Sequence, residues 1–137
     1  MPKTLYLHIG TPKTGTTSLQ KFLNINSSLL LSNNYYFFES NGFHIPYLFN
    51  KSSSAKWFER KMNKNRIEIE ELLKDEMLKK FDEYNKYNWI MSSEHFWEIN
   101  DNPDEIKNMS VFFKTYFDEI KILVTFRNQI DYFISSY

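Results

Sequence analysis

The feature that most constrains this fold is the junction at residues 4–16. A short apolar run, Thr4-Leu5-Tyr6-Leu7-His8-Ile9, stops at Gly10. Five residues later comes Gly15, and from Thr16 onward Leu19, Phe22, Leu23 and Leu30 recur at helical spacing as far as Asn33-Asn34. A buried strand, a glycine-bearing loop and a helix in that order form the opening of a βαβ unit. The rest of the chain repeats the alternation. Residues 35–38 read as a short strand followed by an Asn41-Gly42 turn, and residues 51–55 as a polar, serine-rich loop. Residues 57–84 are highly charged, but Ile69, Leu72, Leu73, Met77, Phe81 and Tyr84 form one apolar stripe. One or two amphipathic helices are expected there, with the charges on the solvated face.

Residues 89–92 read as a second strand of the core. Asn102-Pro103-Asp104-Glu105 has the composition of a helix start, with Asn at the N-cap, Pro at the first position and an acid at the third. Ile106, Met109, Phe113 and Phe117 would carry that helix. Residues 120–126 (IKILVTF) read as the clearest central strand, and Ile130, Phe133, Ile134 and Tyr137 share one face of a closing helix. Strands alternating with helices imply an α/β fold, a parallel sheet flanked by helices. The 137 residues suit a single domain spanning the whole chain. The helical pattern is still running at Tyr137, so the expectation is an N-terminal part whose C-terminal elements are missing.

Composition removes several functions. The chain has no cysteine, so disulfides, thiolate zinc sites and a cysteine nucleophile are excluded. Its 17 basic and 17 acidic residues balance, unlike the basic excess of a nucleic-acid binder. No apolar run approaches the roughly 18 residues of a transmembrane helix, and the N-terminus lacks signal-peptide character, so a cytoplasmic protein is expected.

The junction itself has the ingredients of an anion site. A helix N-terminus presents backbone N–H groups and a partial positive charge, to which Gly15 adds close approach, Thr16 and Thr17 add hydroxyls and Lys13 adds a cation. Gly10 and Gly15 have the spacing of the G-x-x-x-x-G-K-[ST] phosphate loop, but Thr16 occupies the lysine position, which disfavours a nucleotide kinase or NTPase. A second anion-binding candidate follows the last strand. Arg127 would stand at the strand's C-terminal tip, where open α/β sheets bind ligands, and its guanidinium can hold a phosphate bidentately. Ser135 lies two helical turns further on.

Pro12-Lys13-Thr14-Gly15-Thr16-Thr17 resembles the 5′-phosphosulfate loop, P-K-[ST]-G-T-[TS], of sulfotransferases that use 3′-phosphoadenosine-5′-phosphosulfate (PAPS). The run from the strand to Leu23 resembles bacterial members in particular. Arg127, Ser135 and Tyr137 match the family's 3′-phosphate segment: strand, Arg, Ser eight residues later, then Tyr. The resemblance implies a P-loop-like fold and transfer of a sulfuryl group to a hydroxyl or amine. PAPS would be the co-substrate and 3′-phosphoadenosine-5′-phosphate (PAP) the product, with no metal. Lys13, Thr14, Gly15, Thr16, Thr17 and Ser18 would hold the 5′ end, and Arg127 and Ser135 the 3′-phosphate. The acceptor, whether carbohydrate, lipid or small molecule, is not legible. For the base, Ser92-Ser93-Glu94-His95 ends the strand beside the loop. Carbohydrate-type members use a glutamate near this place and small-molecule members a histidine, so Glu94 and His95 are both candidates, with Glu94 favoured. Neighbours on an extended segment point oppositely, so only one of them should face the site. The alternatives are a nucleotide kinase or NTPase on the same fold, and a non-catalytic remnant that binds nucleotide or nothing.

Overall fold

A computed structural model of the chain describes residues 1–10, 15–39, 44–51, 53–99 and 102–126. Its strands are β1 (Thr4–Gly10), β2 (Tyr35–Phe38), β3 (Asn88–Ser93) and β4 (Glu119–Thr125). Its helices are α1 (Thr16–Ile25), α2 (Ser27–Ser32), α3 (His44–Phe49), α4 (Ser53–Met62), α5 (Arg66–Glu83) and α6 (Pro103–Lys114), with a 3-10 helix over Glu94–Ile99. The four strands are all parallel, in the order β2-β3-β1-β4. This is an α/β architecture consistent with a P-loop-like fold.

The two faces of the sheet have different cover, and strand alternation decides which residue meets which helix. Leu5, Leu7, Trp89 and Met91 share one face and bury against Met77 and Phe81 of α5 and Met109 and Phe113 of α6. Trp89 is the hub: its ring packs 4.6 Å from Phe81, 5.7 Å from Phe117 and 5.6 Å from Phe38. Its indole N–H donates to the Tyr84 carbonyl at 3.1 Å, so even this fully buried polar atom is satisfied. The opposite face carries Tyr6, His8 and Ile90. With Leu19 and Leu23 of α1 they line a cavity of about 260 Å3. Connections that run leftward along the sheet (α1, α2) and rightward (α5, α6) thus lie on opposite faces, as crossovers of one hand require.

Local signals account for most helix boundaries. Asn65 caps α5 in a reciprocal box: its side chain accepts from Glu68 N–H, and the Glu68 carboxylate accepts from Asn65 N–H. Asn102 caps α6 through Asp104 N–H, with Pro103 at the first position. Asn34, at φ 65, turns the chain out of α2 in the left-handed region that asparagine tolerates.

Several expectations change. The helix expected from Thr16 to Asn33 is two, because Asn26 leaves helical geometry (φ −95, ψ 16) and its side chain donates to the Phe22 carbonyl. Phe22, within α1, is exposed rather than part of the buried stripe. The serine-rich segment expected as a loop already belongs to α4 from Ser53. Serine suits a helix start, and the buried Phe58, its ring tilted against Tyr47 at 5.0 Å, anchors that helix. Helix α3 had no sequence expectation. Leu72 and Ile106 are exposed, so their stripes are narrower than read. Phe117 is buried as expected but lies beyond the end of α6.

The strand expected to be central, at residues 120–126, is β4, and it sits at the edge of the described sheet beside β1. Ile122, Leu123 and Val124 are exposed, and Phe126 lies beyond the strand. A continuous apolar run signals a strand meant for cover on both faces, but it does not say which strand has two neighbours. Here β1 does. The Asn41-Gly42 turn and the helix expected over 130–137 lie outside the described residues.

Candidate functional site

The chain steps from β1 outward to β2, returns to β3 beside β1, then crosses to β4 on the other side. The reversal makes the carboxyl end of β1 a topological switch point, the place where open parallel sheets form a ligand crevice. Gly10 ends β1 there, and it is in register with Thr125, the last residue of β4. Ser93, the last residue of β3, pairs with Ile9. Three strands therefore end together around the start of α1.

Among the described residues, no side chain caps the first turn of α1. Its N-cap is Gly15, at φ 79 and ψ 18, with no side-chain cap and no acid in the first turn. The left-handed backbone is what requires glycine at this position, since an added β-carbon would meet nothing within 4 Å. Thr16 follows and is 5% exposed. Its Oγ1 is buried with no hydrogen-bond partner among the described residues. A buried hydroxyl left unpaired costs about 1–3 kcal/mol, so this atom needs a reason to be there. Thr16 sits hard against Gly10, where an added β-carbon would overlap its Oγ1. Thr17 and Ser18 are exposed on the same turn. Gln20, one turn in, donates to the Ser92 carbonyl at 2.9 Å and ties α1 to β3.

His8 crosses beneath this turn. Its Nδ1 lies 2.8 Å from Ser92 Oγ and its Nε2 3.1 Å from Thr125 Oγ1, so one imidazole links β3, β1 and β4. Burial holds its pKa below the ordinary 6.5, favouring the neutral ring. This histidine is a buried residue of β1.

Glu94 and His95 do not lie on an extended segment. Strand β3 ends at Ser93 and both residues belong to the 3-10 helix, which packs against β1. The alternation expected to point them oppositely does not operate there. Glu94 is exposed and makes no hydrogen bond or ion pair among the described residues. His95 is engaged: its N–H donates to Ser93 Oγ at 3.2 Å, and its Nδ1 is 3.0 Å from Glu98 Oε1. Glu98 and its second partner Asn50 had no place in the sequence reading. The signal available was the i, i+3 spacing of His95 and Glu98, which brings side chains together only once the segment winds up.

Of the residues singled out by sequence, Gly15, Thr16, Thr17 and Ser18 form the first turn at the switch point, with Glu94 and His95 next to it. Lys13, Thr14, Arg127, Ser135 and Tyr137 lie outside the described residues. A separate cleft of about 680 Å3, lined in part by Lys51, Lys56, Arg66 and Phe112, includes none of these positions.

Fold and site together define an α/β protein with a glycine-capped, anion-suited helix start at the switch point of a parallel sheet. No family model, curated protein or solved structure matches the chain. Among the described residues, no helix is long and apolar enough to cross a membrane.

Proposed function

We propose that this chain binds PAPS and serves a sulfotransferase that moves the sulfuryl group to a hydroxyl or amine of an acceptor. The supporting observation is the register pairing of Gly10 with Thr125. Lys13 follows Gly10 by three residues and Arg127 follows Thr125 by two. The two segments that resemble the 5′- and 3′-phosphate sites thus leave the sheet from adjacent strand ends. A ligand with phosphate groups at both ends of one nucleoside suits that arrangement.

The donor set fits the 5′ end. The first-turn N–H groups and the Thr16 hydroxyl, which has no hydrogen-bond partner among the described residues, suit phosphosulfate oxygens. In the reaction the acceptor oxygen forms a bond to sulfur, the bond between sulfur and the 5′-phosphate oxygen breaks, and PAP departs with the electron pair. Charge builds on that leaving oxygen, where Lys13 and the first-turn amides would stabilise it. A base, Glu94 or His95, takes the acceptor's proton, a contribution of typically 10²–10⁴-fold.

Thermal unfolding with and without PAP, with ADP as control, tests the donor site. At about 100 times the dissociation constant a specific ligand adds roughly 2.7 kcal/mol, on the order of 10 °C for a domain of this size. A shift with PAP and none with ADP supports the reading. A shift with ADP or ATP in the presence of Mg²⁺, with turnover of ATP, transfers the assignment to a kinase or NTPase. No shift in a chain that melts cooperatively means a remnant without a working site.

A further inference from the structure

We infer that the cleft among α3, α4, α5 and α6 is a binding site for a small amphipathic anion, an apolar or aromatic body that carries a carboxylate, sulfate or phosphate. The inference does not depend on the sulfuryl-transfer reading above. The cleft has a volume of about 680 Å3, within the roughly 300–1,000 Å3 of small-molecule sites. Leu48 and Phe49 of α3 and Phe112 of α6 make its apolar wall. Phe49 is buried, Leu48 and Phe112 are half-buried, and the rings of Phe49 and Phe112 lie 5.5 Å apart. Apolar side chains left half open on a concave surface favour a ligand that removes them from water.

The charged wall decides the sign of that ligand. Two carboxylates line the cleft, and the protein already supplies a donor to each. Glu70 Oε1 accepts from Arg66 Nε at 2.7 Å, and Glu59 Oε1 accepts from the Tyr47 hydroxyl at 2.9 Å. Arg66 is itself committed, since it also donates to the Asn50 and Tyr47 carbonyls at 3.1 and 3.0 Å. Lys74 stands 3.9 Å from Glu70 Oε2. Lys51 and Lys56 differ. Both line the cleft and are exposed, and neither ammonium makes a hydrogen bond or ion pair among the described residues. One follows α3 and the other stands in α4, so two elements contribute cations to one cleft. Their stretch of chain is also locally basic. Residues 51–64 hold Lys51, Lys56, Arg60, Lys61 and Lys64 against the single acid Glu59, in a chain whose net charge is zero. A local positive field of this kind draws anions to the cleft. Cations without a protein partner beside an apolar wall suit a ligand that has both parts.

Titration of the whole chain with an aromatic sulfonate, naphthalene-2-sulfonate, followed by amide NMR, tests this. The neutral alcohol naphthalene-2-methanol and inorganic sulfate are the comparisons. The sulfonate should give saturable shifts centred on Lys51, Lys56 and Phe112. The alcohol should bind roughly 3–30-fold more weakly, the loss expected for two exposed ion pairs. Inorganic sulfate, with no body to cover Phe49 and Phe112, should give no saturable shift. The double substitution Lys51→Gln, Lys56→Gln should weaken sulfonate binding by the same roughly 3–30-fold. Lys61→Gln with Lys64→Gln removes as much charge from residues outside the cleft lining and should leave the affinity nearly unchanged. Equal binding of alcohol and sulfonate would reduce the cleft to an apolar crevice and overturn the proposal. So would saturable binding of inorganic sulfate at the same lysines, an equal loss in both double variants, or shifts centred on residues 15–18 instead. Neither double variant touches the residues assigned to PAP, so the PAP-induced rise in melting temperature should persist in both. Failure of this site and failure of the donor-site reading are therefore separate results.

Discussion

Thr16 Oγ1 occupies the space that a side chain on Gly10 would need. Strand β1 and helix α1 can approach this closely only because residue 10 is glycine, and the approach buries a hydroxyl with no partner among the described residues. Substituting Thr16 by Val keeps the shape and removes the orphan hydroxyl. The unliganded protein should gain about 1 kcal/mol while PAP binding weakens. Gly10→Ala should instead cost about 1–3 kcal/mol through overpacking. Urea unfolding and calorimetric titration check both. A Thr16→Val variant that is destabilised and binds normally would mean that the hydroxyl serves only the fold.

His8 gives stability a pH dependence. Its folded pKa lies below the unfolded value of 6.5 because burial disfavours the charged ring. At pH values below about 6.5 the unfolded chain therefore binds more protons at this site than the folded one. The contribution is present above pH 6.5 and is lost as the pH falls toward the folded value. The stability difference between wild type and His8→Gln should narrow as the pH is lowered from 7.5 to 5, measured by denaturant midpoints. Parallel curves would show that His8 titrates alike in both states.

The capping box at α5 is a purely structural device. Asn65→Ala removes the acceptor of Glu68 N–H and should cost about 1 kcal/mol without changing the PAP response. An unshifted urea midpoint would show that the tertiary contacts of Arg66 already secure that helix start.

Lys13 is expected to act on the leaving 5′-phosphate. Lys13→Ala should abolish sulfuryl transfer and leave the melting temperature of the free protein unchanged. Wild-type turnover in that variant removes Lys13 from the mechanism.

Arg127 is expected to distinguish the 3′-phosphate. Losing a charged hydrogen bond costs about 1.5–3 kcal/mol, which is roughly a 10–100-fold loss of affinity. Calorimetry with Arg127→Ala should show that loss for PAP and none for the nucleotide with a 3′-hydroxyl. Equal losses for both would rule the assignment out.

Much of the architecture was legible because its causes are local. The bounds of β2, the start of β1, and the Asn102-Pro103 start of α6 each depend on a few neighbouring residues. Gly15 was readable as the entrance to α1 for the same reason. The break at Asn26 and the helical identity of residues 53–56 were not, since asparagine and serine are equally at home in caps, turns and loops. At the candidate site, Thr16 and its neighbours could be named from motif spacing. The pairing of His95 with Glu98 depended on the chain winding into a 3-10 helix rather than staying extended past Ser93.

The sequence alone determined that strands and helices alternate, that Gly15 stands immediately before the start of α1, and which segments resemble phosphate sites. These follow from periodicity and from conformational preferences that act within a turn of the chain. Only the tertiary structure decided that β1 rather than β4 is flanked on both sides, that His8 spans Ser92 and Thr125, and that Asn50 reaches Glu98. Such pairings join residues 48 to 117 positions apart; they arise from the order in which strands and helices dock, which no local preference specifies.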